Sequence, residues 1–283
     1  MSITVVTDSA SDLPAELASE LGILVVPLTI RFGDEELVDG VDLSPTEFWA
    51  RCGKSPKLPE TAAPSSGAFR EAFEKAAAGG AEGVVCINLS GALSATIEAA
   101  RAAADAVSDD IAVRVVDSRS ITLGEGLMAV AGANLARMGK GLDDVAAQVS
   151  EMAGRTKFYG AMSTLENLRK GGRIGAAAAA FGSLLSFKPV VTIVDGAVEA
   201  DSRQRTRARS LRYLVDKMKA HAPLDQVGIV HGDAPDLEEF LGMVDEVVPR
   251  DAVVLGNLGP VVGTHSGPGS IGITFQLPPP ASA

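Results

Sequence analysis

The stretch GVVCINLSGALSATIEAARAAADAVSDDIAVRVVDS, residues 83–118, decides the fold class. It opens on a short apolar run, rich in valine and isoleucine, that suits a buried strand. A hydroxyl-rich loop follows, and then an alanine-rich run of strong helix formers over residues 94–107. IAVRVVDS, residues 111–118, reads as a second strand. Strand, helix and strand in so short a span make a βαβ unit, in which the two strands are parallel and helices cover the sheet.

The same alternation runs outward from this unit. Upstream, ITVVTDS (3–9) is a strand and PAELASELG (14–22) a helix, with Asp12 as its expected cap and Pro14 in its first turn. ILVVPLTIRF (23–32) reads as one strand, SPTEFWARC from Ser44 as a helix, and GAFREAFEKAAAGG (67–80) as a helix stopped by Gly79 and Gly80. Downstream, EGLMAVAGANLARMG (125–139) is helical.

Beyond Gly154 the pattern becomes mixed. KFYGAMST (157–164) is a strand, LENLRKGG (165–172) a short helix and AAAAAFGSLLS (176–186) an alanine-rich helix. FKPVVTIVDGAVEA (187–200) predicts a hairpin turning at Asp195-Gly196. A basic helix is expected over 203–220, then strands at 226–232, 251–259 and 269–277, a helix at 237–244, and a frayed PPPASA tail. The reading is an α/β protein of two domains. Residues 1–154 form a mostly parallel sheet with flanking helices, and residues 155–283 a smaller mixed α/β domain.

Bulk composition narrows the function classes. The chain has 283 residues, enough for two cores, and only 4% aromatic residues against 46% hydrophobic, so those cores are aliphatic. A formal net charge of −11 argues against a general binder of nucleic acid or anionic membrane. Cys52 and Cys86 form no C-x-x-C pair and no metal-finger spacing, which points to a reduced, cytosolic compartment. MSITVVTDSASDLP lacks the basic region of a signal peptide. Charges such as Lys188 and Asp195 interrupt the apolar stretches, so no segment is expected to span a bilayer.

Chemistry concentrates in loops. Hydroxyl-rich segments fall at strand ends at 7–12, 88–96 and 117–126, with TAAPSSG from Thr61 as a fourth. In open parallel sheets such ends border the ligand crevice, and helix N-termini there offer free N–H groups to an anion. The competing reading is that these serines only cap helices. No G-x-G-x-x-G and no P-loop is present, so no nucleotide cofactor is expected. His231 and Asp233 lack a third ligand at useful spacing, so no metal is expected either.

NLGPVVGTHSGPGS (257–270) holds His265 among glycines and prolines, a composition that predicts a turn able to form neither helix nor sheet. From Ala200 to Ala220 seven Lys or Arg residues face two Asp. Arg205, Arg209 and Arg212 are spaced to share one helical face, either solvated or docking an acidic or phosphorylated partner.

Taken in order, VTDSASDLP, TAAPS, LSGALSATIEAA, VVDSRSITLGEG, LENLRKGGRIG, SFKPVV, SRQRTRARS and LGPVVGTHSGPGSIGITF resemble the DegV family of bacterial fatty-acid-binding proteins along essentially the whole chain. The resemblance implies a two-domain α/β fold that grips one long-chain fatty acid between the domains. It also implies an acyl carrier without catalysis of its own, serving a separate ATP-dependent fatty-acid kinase that phosphorylates the carboxylate. Thr61, Ser94, the backbone amide of Ala95 and His265 match the family's carboxylate-binding positions. Arg173 and Arg205 match arginines that resemble a surface for the kinase and its phosphoryl group. Where the family has TSQPS and SGT, this chain has TAAPS and SAT, so Ala62, Ala63 and Ala95 alter the headgroup surroundings. The competing enzyme reading is an acyl hydrolase using Ser94 and His265, against which stands the absence of a G-x-S-x-G elbow.

Overall fold

The computed structural model describes residues 2–55, 57–181 and 187–279. In chain order the first half builds β1 (Ile3–Asp8), α1 (Ala15–Leu21), β2 (Leu24–Val26), β3 (Thr29–Phe32), β4 (Glu35–Val38), α2 (Pro45–Cys52), β5 (Glu60–Ala62), α3 (Ser66–Ala78), β6 (Gly83–Asn88), α4 (Thr96–Ala106), β7 (Ala112–Asp117), α5 (Leu123–Arg137) and α6 (Leu142–Arg155). The strand order β2-β1-β6-β7 is parallel throughout. Alternation along β6 divides the core. Val85 and Ile87 face α5 and α6, while Val84 and Cys86 face Phe69, Phe73, Ala100 and Ala103 of α3 and α4. Helices on both faces explain why β6 is buried along its whole length.

Three short strands form a separate antiparallel sheet of order β4-β3-β5, which the sequence reading does not contain. The expected single strand over 23–32 is two strands in two sheets. Pro27 offers no N–H to a ladder, and the Leu28 N–H donates to Ser9 Oγ at 3.0 Å. Helix α6 is likewise absent from the sequence reading. Asp12 does not cap α1. It lies in the left-handed region (φ 49°), and its carboxylate accepts the Gly259 N–H at 2.8 Å across the molecule.

The second half builds β8 (Thr156–Ala161), α7 (Glu166–Lys170), α8 (Ala177–Phe181), β9 (Lys188–Val194), β10 (Ala197–Gln204), α9 (Arg207–His221), β11 (Asp225–His231), α10 (Leu237–Val244), β12 (Val253–Asn257), α11 (Pro260–Ser266) and β13 (Ile271–Gln276). Residues 182–186 of the expected alanine-rich helix, and 280–283 of the expected tail, lie outside the described residues. The six-stranded sheet runs β10-β9-β8-β13-β11-β12 and only β11–β12 is parallel, so antiparallel pairing dominates where the sequence suggested some. The hairpin at Asp195-Gly196 has positive φ at both residues, as a tight two-residue turn requires. Helices α9 and α10 bury Leu211, Leu214, Val215 and Phe240 against one face of this sheet. Its other face turns toward the first sheet.

Two further expectations are corrected here. Residues 260–266 are helical: Pro260 occupies the first turn, where a missing N–H costs nothing, and Gly267 ends the helix at φ 76°. The basic helix begins at Arg207 with Thr206 as its cap, so Arg205 lies ahead of it and cannot share a face with Arg209 and Arg212. Among the described residues no helix is long and apolar enough to cross a membrane.

Buried carboxylates gather beneath the loops of the first sheet. Asp8 accepts hydrogen bonds from Ala10 N–H (3.0 Å), Leu89 N–H (3.0 Å) and Asn88 Nδ2 (3.1 Å), which ties the C-terminal ends of β1 and β6 together. Glu125, at the start of α5, accepts from Thr7 Oγ1 at 2.8 Å. Burial pushes Asp8 and Asp39 up to about 6, and Asp12 and Glu125 well above the usual carboxylate range.

A carboxyl whose pKa is higher in the folded chain stabilises the fold at low pH and loses that contribution as pH rises through the folded value. For Asp39, between its unfolded 3.8 and about 6, the window is pH 4 to 6. From pH 5 to 7.5 the loss amounts to about 1 kcal/mol. Urea denaturation of Asp39→Asn should therefore show a fall in stability over that interval smaller than wild type by about this amount, a comparison in which titrating groups remote from Asp8 and Asp12 cancel. Identical pH slopes would mean that Asp39 ionises as freely as in water.

Candidate functional site

The first sheet changes direction between β1 and β6. The chain steps from β1 to β2 on one side and later returns to add β6 on the other, and a crevice opens outside the strand ends at such a switch point. A cavity of about 230 Å³ lies there. Phe158, Val191, Ile193 and Val198 of the six-stranded sheet form one wall, with Leu89, Leu93 and Ile121 from the loops after β6 and β7 opposite. Val261 and Val262 of α11 and Leu28 add to its apolar surface.

The polar side chains on this surface are Thr61, Ser94, Arg173, His265, Ser266 and Ser270. Thr61, held on β5 by its pairing with Ile30, meets His265 Nε2 through Oγ1 at 3.2 Å. His265 occupies the last turn of α11, and its Nδ1 lies against Gly171, where a methyl group would overlap the ring. Burial pushes the imidazole down to about 4, with the Arg173 guanidinium beside it acting in the same direction. It is therefore neutral at physiological pH.

Arg173 donates through Nε to the Leu93 carbonyl (3.2 Å) and through Nη1 to the Gly171 carbonyl (2.8 Å), joining the Ser94 loop to the turn that touches His265. Ser94 Oγ shares a hydrogen bond with Thr96 Oγ1 (2.9 Å) and accepts the Thr96 N–H (3.3 Å), opening α4. Ala95, the residue before α4, also lines the cavity, as do Ala62 and Ala63.

Thr61, Ser94, Ala95, His265 and Arg173 thus border a single cavity. Arg205 does not. It is exposed at the bend between β10 and α9, and Asp201, the acid nearest it in sequence, pairs instead with Lys217 at 2.8 Å. The place of Arg173 inside the cavity is not readable from KGGRIG, because it depends on a carbonyl 80 positions away.

Helix α11 is held by groups the sequence reading did not single out. Asn167 Nδ2 donates to the Thr264 carbonyl (3.0 Å), and Trp49 Nε1 to the Leu258 carbonyl (3.2 Å). The rings of Phe48 and Trp49 press on Gly263, where a Cβ would come within 2.7 and 2.9 Å of them. Among the described residues no group of three or more His, Cys, Asp or Glu is arranged to hold a metal ion.

Comparison with known proteins gives a consistent family. The family model described as "Uncharacterised protein, DegV family" matches residues 2–277. A DegV domain-containing protein of Streptomyces coelicolor is 34% identical over 279 residues, covering 97% of this chain and 98% of that protein. Among solved structures, one titled for fatty acid binding of a DegV family protein from Thermus thermophilus superposes with TM-score 0.89 at 30% identity, over 98% of this chain and 100% of that one. DegV of Bacillus subtilis, titled a fatty acid binding protein, superposes with TM-score 0.84 at 29% identity, again over 98% and 100%.

The contact between Gly171 and His265 is open to test. The Gly171 backbone, at φ −79°, suits alanine, so Gly171→Ala acts through the added methyl alone. It should displace the imidazole from Thr61 and lower stability by about 1–3 kcal/mol. Followed by NMR, His265 should titrate near pH 4 in the wild type and closer to 6.5 in the variant. A midpoint unchanged by the methyl would show that the ring has room to spare.

Proposed function

This chain belongs to the DegV family, and on that premise we propose that it binds one long-chain fatty acid, with the chain along the apolar cavity and the carboxylate at the Thr61–His265–Arg173–Ser94 set. The observation that carries this reading is the composition of the cavity surface: mostly aliphatic and aromatic, with its only charged side chain and its imidazole in that group and only the hydroxyls of Ser266 and Ser270 polar outside it. Burying about fourteen methylenes at ~0.8 kcal/mol each gives roughly 11 kcal/mol. Association costs several kcal/mol of that gain. The polar set keeps the carboxylate from being buried without partners. Thr61 Oγ1, Ser94 Oγ and the Ala95 N–H supply neutral donors, and Arg173 supplies the opposite charge.

We read the protein as a cytoplasmic carrier that presents the carboxylate to a separate ATP-dependent kinase, which forms the acyl phosphate. Arg205, exposed and clear of the cavity, fits the partner-facing role, while Arg173 stands between carboxylate and incoming phosphate. The hydrolase reading with Ser94 and His265 is not favoured. The imidazole meets Thr61 and Gly171, and its charged neighbour is a cation, where a hydrolase needs an acid to orient it.

Organic extraction of the purified protein followed by mass spectrometry should recover one fatty acid per chain; a stoichiometric nucleotide or sugar with no lipid would overturn the carrier reading. Thr61→Ala and Ser94→Ala should each weaken fatty-acid binding by about 1–3 kcal/mol while the fold persists. Unchanged affinity in both would place the carboxylate elsewhere. Arg205→Ala should load lipid normally and slow acyl-phosphate formation with a cognate kinase, whereas Arg173→Ala should impair both steps. Wild-type turnover by Arg205→Ala would leave that arginine as solvated surface.

A further inference from the structure

A second cavity, of about 630 Å³, lies across the Ser9–Ser11 turn from the first. Val25 of β2, Val41 and Leu255 of β12 stand around it, 40%, 75% and 43% exposed, three of the six large apolar side chains exposed among the described residues. Its floor carries Asp39, only 6% exposed, with Asp12, and Glu16 stands at its side. Among the described residues no lysine, arginine or histidine lines it. Two buried oxygens there have no hydrogen-bond partner: Asp12 Oδ2, and the Oγ of Ser11, a residue 1% exposed.

Buried carboxylates are normally paired with a cation or bound to a metal. Neither Asp12 nor Asp39 has an ion-pair partner among the described residues, and the charges facing Asp39 are the like charges of Asp8 and Asp12. A hard divalent ion is usually held by several carboxylates, and among the described residues no three His, Cys, Asp or Glu side chains come together to hold a metal. The size falls within the roughly 300–1,000 Å³ usual for small-molecule sites. The apolar rim calls for a ligand with methylenes as well as charge.

We propose that this cleft binds a small organic cation, an aliphatic ammonium or guanidinium, with its head on Asp39 and its methylenes against Val25, Val41 and Leu255. Such a group comes either from a free amine or from the end of a lysine or arginine side chain on another protein. The site is independent of the acyl cavity: Thr61, Ser94, Arg173 and His265 do not border it.

Amide NMR titration of the full chain tests it, with 1,4-diaminobutane, n-butylguanidinium and the capped peptide acetyl-Val-Lys-Val-amide as probes. At least one should give saturable shifts at residues 9–16 and 39–45. Tighter binding of the two small cations marks a free metabolite, and tighter binding of the peptide marks a side chain presented by a partner. Asp39→Asn should weaken binding by about tenfold or more. Val41→Lys, at a position 75% exposed and so harmless to the fold, should compete from the rim and weaken it too. Lipid content should stay constant in both. Absence of saturable shifts with all three probes at roughly 10 mM, or binding that neither substitution changes, overturns the proposal.

Discussion

Helix α11 sits at backbone distance from its neighbours, and the geometry of the cavity bordered by Thr61 and His265 depends on that closeness. Gly263 lets the rings of Phe48 and Trp49 lie directly on the helix, and Gly171 lets the turn after α7 lie directly on His265. Side chains at either place would push α11 outward by the width of a methyl group. Thr61 is on one sheet and His265 on a helix from the far end of the chain, and they meet at 3.2 Å only because nothing intervenes. Interiors packed to crystalline density transmit such displacements instead of absorbing them.

The loops above the first sheet are held by a different device. Asp8 accepts three hydrogen bonds where β1 and β6 end, and Asp12 reaches across to the residue that opens α11. Burying these acids raises their proton affinity and costs stability at neutral pH, while the bonds they accept fix where the loops run. The cavity walls and the polar set therefore rest on a network chosen for placement more than for stability. Ser90 extends it by donating to the Gly196 carbonyl at 2.7 Å, which fastens the β9–β10 hairpin to the loop after β6.

The βαβ order was legible because buried parallel strands and alanine-rich helices have distinct side-chain periods, clearest at β6 and α4. The small sheet was not, since β3 and β4 have four residues each and β5 three, too few to carry a period to read. Residues 260–266 are not legible as a helix because glycine and proline commonly break one, whereas proline is at home in a first helical turn and Gly263 answers to two aromatic rings elsewhere in the sequence. Thr61, Ser94 and His265 stood out in hydroxyl-rich or glycine-rich loops, their grouping with Ala95 came only from the family resemblance, and all four border one cavity. Arg173 was legible as an arginine after a glycine pair, but its direction was not, because carbonyls of two separate loops set it.

Trp49 is the only tryptophan in the chain. Its indole N–H is bonded to the Leu258 carbonyl and its ring rests on Gly263, so one chromophore is in contact with both ends of the approach to His265. Indole emission shifts in colour and intensity with the polarity and hydrogen bonding around the ring. The indole fluorescence of the unlabelled protein therefore originates at a single known point, and any rearrangement of α11 is written into that emission without a dye or an engineered reporter.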